Sequence, residues 1–136
     1  MTTISLVNDN AITNIQGISD PIIYEYFTKL NNAEFTAVIE LFSEQGFLNP
    51  PFDKSLQGKG EILQYLEKEA KGIKSYPEQG ETTQKGSLTE YQIQGTVGIS
   101  GFIFNMDWFI QLNSDQKIMV VEVKLVASLE DLLDFK

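Results

Sequence analysis

Two polar side chains stand in rows that are otherwise apolar. Tyr26 shares a helical stripe with Ile22 and Leu30, four residues away on either side. Trp108 lies among Phe102, Phe104, Met106, Ile110 and Leu112, which alternate along one face of a strand. Each carries one strong donor, a phenol O–H and an indole N–H. If the two elements pack together, both donors can converge on a single carbonyl oxygen at the closed end of a pocket. The plainer alternative is a pair of core aromatics whose donors find local partners. The acid–base candidates are Asp53, Asp107, Glu122, Glu69 and the tyrosines. Strand parity turns Asp107 and Glu122 away from the apolar face. Glu69 precedes the inward Ala70 and belongs to the helix edge, and Asp53 follows a double proline where it can only rim a mouth. No carboxylate reaches the expected interior, which argues against a catalytic base in such a cavity and for a chain that is not an enzyme.

Missing residue types exclude further chemistry. The 136 residues contain no cysteine, histidine or arginine. That removes thiol nucleophiles and disulfides, Ser-His-Asp triads, ordinary catalytic zinc and His-ligated haem, and bidentate phosphate clamps. Asp107, Asp115, Glu130 and Asp131 are scattered without calcium-loop spacing, so no metal site is expected. A net charge of −9 without a lysine run speaks against nucleic acid and against an anionic membrane surface. The longest uncharged stretch, Tyr91 to Met106, holds Gln, Asn and several Gly and does not read as an integral membrane span. The first twenty residues lack the basic start and apolar run of a leader, and a cytoplasmic location is expected.

The elements that must position Tyr26 and Trp108 follow from local signals. Residues 1–18 read as an N-terminal arm and 19–136 as one domain. Asp20 and Pro21 start a helix that Asn31-Asn32 breaks. A second helix is expected over 33–44, with Phe35, Val38, Ile39 and Phe42 on one face and Gly46 as its stop. The tandem prolines of FLNPPF (47–52) make an extended turn. A third helix runs over 60–71, with Ile62, Leu63, Leu66 and Ala70 inward. Residues 77–87 read as turn chemistry and surface. Strands follow over 89–99, 102–112 and 117–126, and a short helix starts at Ser128. The fold class is therefore α+β: helices packed on the concave face of a curved antiparallel sheet, a cone with one closed end and one open mouth.

Several short stretches in one order resemble a known family. They are the Tyr26 helix continuing into LNNAEF (30–35), ELF (40–42), PPF (50–52), Gly58-Lys59, the acidic-basic run at 69–74, PEQG (77–80), NMDW (105–108) and ASLEDLL (127–133). This pattern, from Gly17 to Phe135, resembles the C-terminal domain of the cyanobacterial orange carotenoid protein and its stand-alone homologues. The resemblance implies a nuclear-transport-factor-2-like fold and a tunnel for a ketocarotenoid of the echinenone or canthaxanthin type. By position, Tyr26 and Trp108 would donate to the keto oxygen, and Leu30, Ala70, Val97, Met106, Val123 and Leu125 would line the tunnel. Glu69 matches an acid that contacts the helical partner domain. The implied role is a carrier that holds or hands over carotenoid, in photoprotection, with a helical carotenoid-binding domain homologue as a partner. The chain departs from the family in a shorter loop between Ile99 and Phe102, in Ser75 at a pocket position that is apolar in the family pattern, and in lacking a cysteine, so a homodimer would be non-covalent. A pocket for a smaller apolar ligand, an enzyme on the same scaffold, and a dimerisation module without carotenoid are the alternatives.

Overall fold

The computed structural model describes residues 11–126. Its first helix, α1 (Pro21–Asn31), begins where the sequence signals it: the Asp20 carboxylate accepts from the Ile22 amide at 2.9 Å, and Pro21 occupies the first turn. Ile23, Tyr26, Phe27 and Asn31 form its buried face. The second helix, α2 (Phe35–Glu40), is shorter than the expected 33–44. Phe42 instead opens a strand, β1 (Phe42–Asn49), which runs parallel to β6 (Ile118–Leu125). The register slips between Phe42 and Phe47, and Gly46 sits in that irregularity. A Cβ on Gly46 would lie 2.9 Å from the Ile118 carbonyl oxygen. The glycine therefore permits close strand approach and does not cap a helix. Only Pro50, Pro51 and Phe52 lie beyond the strand, so the turn expected over 47–52 is confined to its second half.

A two-residue strand, β2 (Leu56–Gln57), leads into α3 (Lys59–Glu69), whose Ile62 and Leu66 are buried as expected. Next comes a strand where turns and surface were expected: β3 (Lys74–Lys85) pairs antiparallel with β4 (Leu88–Ile99). Pro77 is tolerated because β3 is the edge of the sheet and the ladder is irregular between Pro77 and Gln79. The strand β5 (Phe102–Leu112) completes a six-stranded sheet of order β2-β1-β6-β5-β4-β3. The β3–β6 meander is antiparallel, and β1 joins it through the parallel pairing with β6.

One face of the sheet carries the core. Phe27, Ile23, Ile62, Ile93, Ile110, Leu112, Ile118 and Val121 are fully buried between helices and strands. Alternation along β5 holds from Met106 to Leu112, whereas Phe102 and Phe104 are exposed because that end of the strand overruns the helical cover. Residues 12–18, read as the end of an arm, pack onto the domain. Ile15 and Ile18 are buried, the Tyr24 hydroxyl donates to the Ile18 carbonyl at 2.5 Å, and Gln16 bridges to the free edge of β3 at Gln79. Covering an edge in this way blocks further strand addition. The expected helix from Ser128 lies outside the described residues.

Candidate functional site

The two donors singled out by the sequence meet in one cavity of about 150 Å³. Tyr26 enters it from α1. Trp108 enters from β5, where the register sets it between Ile93 of β4 and Val123 of β6. Their rings belong to one edge-on stack. Tyr26 lies 5.2 Å from Phe27 and 6.4 Å from Phe42, and Phe27 lies 5.1 Å from Trp108. Edge-to-face contacts of this kind fix ring orientation. Neither the Tyr26 O–H nor the Trp108 Nε1–H has a hydrogen-bond acceptor among the described residues, so the local partners of the plainer alternative are absent. Burial, with a smaller contribution from nearby Tyr65, holds the Tyr26 phenol above the ordinary range. It remains a protonated donor at any physiological pH.

Of the apolar residues expected around these donors, Leu30, Ala70, Val97, Met106 and Val123 line the cavity. Leu125 does not. It lies across the ladder from Met106 but at the uncovered end of β6, where it is 43% exposed and borders an outer groove with Pro50, Phe52 and Asp53. Glu69 is the exposed last residue of α3, beside Ala70, and its charge helps raise the Tyr65 phenol after burial and Asp53. It occupies the rim.

The sequence reading missed several walls. Leu48 and Pro50 come from β1 and the turn after it, and Tyr65 and Leu66 from α3; Ser75 of β3, the pocket position singled out by the family resemblance, is also a wall. Tyr65 carried a signal, since it lies three residues after Ile62 beside the inward Leu66. Ser75 is held unusually firmly. The Asn31 side-chain amide donates to its carbonyl oxygen and accepts from its N–H, both at 2.8 Å. Ile99 also lines the cavity and is 39% exposed, so the cavity reaches the surface there.

Among the described residues, no carboxylate lines this cavity. Asp107 and Glu122 border a groove on the opposite face of the sheet with Gln92, Gln94 and Lys124, as strand parity requires. Among the described residues no group of three or more acids is placed to hold a metal ion, and no helix is long and apolar enough to cross a membrane.

Comparison with known proteins gives a consistent relationship. No protein-family model matches the chain. An orange carotenoid-binding protein of Synechocystis is 32% identical over 127 residues, covering 90% of this chain and 40% of the relative. The chain thus spans about two fifths of the curated relatives it matches. The orange carotenoid protein of Anabaena (Nostoc) sp. PCC 7120, solved binding canthaxanthin, superposes with a TM-score of 0.84 at 30% identity, over 93% of this chain and 42% of that one. An NTF2-like protein of Cytophaga hutchinsonii shares the fold at a TM-score of 0.61 and 16% identity, covering 84% of this chain and 95% of that one.

Proposed function

Because this chain is homologous to the C-terminal domain of the orange carotenoid proteins and has their NTF2-like fold, we propose that it binds a ketocarotenoid ring without catalysis and serves as a carotenoid carrier. The observation that carries this reading is the pair of unshared donors, Tyr26 O–H and Trp108 Nε1–H, at one largely apolar cavity. Neither donor has a protein acceptor among the described residues, and a carbonyl oxygen supplies what both lack.

The residues fit such a group. A dry apolar cavity of about 150 Å³ is known to hold a benzene-sized ring, which is the volume available here. The ring end therefore enters, and the conjugated chain leaves past Ile99. The ligand supplies the visible chromophore. The protein holds its ring, excludes water and polarises its keto oxygen. Enclosing on the order of 200 Å² of apolar ring surface contributes roughly 5 kcal/mol before ordering costs, against about 1 kcal/mol net for each hydrogen bond. Apolar walls thus set affinity and the two donors set orientation and colour. The emerging chain calls for a second apolar surface, either a helical carotenoid-binding domain or a second copy of this chain held without a disulfide.

Visible absorbance of the protein purified from cells making a ketocarotenoid tests the proposal. The expected result is a strongly red-shifted band that co-elutes with protein. Trp108→Phe should move the band while changing affinity by less than about tenfold. A colourless protein from pigmented cells would refute carotenoid binding, and a Trp108→Phe band identical to that of the native chain would refute the division of roles.

A further inference from the structure

We propose that Ser75 makes this cavity select a ring that carries a hydroxyl in addition to its keto group, a deepening that rests on the carotenoid reading above. Ser75 is only 3% exposed and faces inward from β3, paired across the ladder with Val97, another wall residue. Its backbone is bonded on both sides to the buried Asn31 amide at 2.8 Å, so the position is fixed. Its hydroxyl has no partner among the described residues.

The hydrogen-bond inventory decides what that hydroxyl can receive. A carbonyl oxygen offers two lone pairs and no proton. The Tyr26 and Trp108 donors fill both. A ligand with only a keto group therefore leaves Ser75 unanswered in an apolar cavity, at the cost of an unmade bond. A ligand hydroxyl is both donor and acceptor and can pair with Ser75 in either sense. An ordered water could also do so, but it would take space that the ring needs in a cavity of about 150 Å³.

The test compares canthaxanthin, whose rings carry keto groups alone, with astaxanthin, whose rings carry a hydroxyl beside each keto group. Quenching of the single tryptophan, Trp108, reports binding to the full chain. The native chain should bind astaxanthin about fivefold more tightly, the ratio that one hydrogen bond supplies. Ser75→Ala and the nearly isosteric Ser75→Cys should each bring the ratio close to one. The Cys variant keeps the test decisive if the Ala variant folds poorly. Equal binding of both pigments by the native chain, or a ratio unchanged in both variants, overturns the selectivity and leaves the carotenoid reading standing. Binding of neither pigment overturns both.

Discussion

Replacing Asn31 by alanine should destabilise the chain by about 3 kcal/mol without touching any group that faces the ligand. Ser75 lies on the edge strand β3, where one row of backbone groups has no neighbouring strand. At Ser75 the Asn31 side chain takes the place of that strand, giving and receiving one hydrogen bond at 2.8 Å each. Asn31 is 2% exposed and Ser75 3%, so water does not readily replace either bond. The substitution strands one buried N–H and one buried C=O, each costing about 1–3 kcal/mol. A total near 3 kcal/mol allows for partial relief at the open edge. For a domain of this size that lowers Tm by roughly 10 °C. Urea unfolding followed by circular dichroism gives the free energy, and a scanning calorimeter gives Tm. A loss below about 1 kcal/mol would show that solvent satisfies Ser75 and that the clasp is incidental. The Ser75 wall would then not be rigid, and the proposed hydroxyl selectivity would lose its geometric basis.

Two further outcomes follow from the same structure. The raised Tyr26 phenol stays neutral in the folded chain, whereas an unfolded tyrosine ionises near its ordinary pKa of about 10. The unfolded chain then binds fewer protons, so stability is complete below that pH and declines above it, with Tyr26 contributing up to about 1.4 kcal/mol per pH unit. Alkaline titration should show Tyr26→Phe losing this part of the slope, and an unchanged slope would place the phenol in contact with solvent. Gly17→Ala should cost more than about 2 kcal/mol, because Gly17 has φ +90° and an added Cβ would stand 2.2 Å from the Gly80 carbonyl oxygen. Thermal melts read the loss, and a variant as stable as the parent would mean that residues 12–18 contribute no stability.

Much of the site was legible because its key residues interrupt simple patterns. Asp20, Pro21 and a four-residue apolar spacing mark α1, and strict alternation marks β5 from Met106 onward. Tyr26 and Trp108 are visible as lone donors within those patterns. The walls from β1 and β3 were hidden for two physical reasons. Phe35, Val38, Ile39 and Phe42 continue one helical spacing, yet Phe42 is buried through pairing with β6. Only a non-local ladder distinguishes the two, and spacing does not encode it. Beyond Pro77 most of β3 is exposed on both faces, so that stretch has no apolar side chain to alternate. Backbone pairing with β4 defines that strand, and side-chain pattern is silent about it. Leu48 was therefore overlooked as a wall residue while Met106 and Val97 were not, and only the family resemblance, not side-chain pattern, put Ser75 in the pocket.

The arrangement of the aromatic rings explains how so small a cavity could hold one end of a long ligand firmly. Phe42, Tyr26, Phe27 and Trp108 contact one another in series, edge against face. The rings that carry the two donors are thereby held in place, and another wall of the cavity is set by the Asn31–Ser75 clasp. On the carotenoid proposal, binding would order little of the protein, so most of the apolar burial would survive as affinity. The same stiffness has a consequence for the empty chain. Among the described residues, Tyr26, Trp108 and Ser75 each keep a polar group without a protein partner beside apolar walls, and a fitting ligand can bond them. Ligand binding should therefore stabilise the fold beyond what apolar contact alone supplies. A ring lacking oxygen, matched in size, should raise Tm by less than its keto counterpart at equal occupancy. Equal stabilisation by both rings would mean that the donors are not aimed at the ligand, and the cavity would be a purely apolar socket.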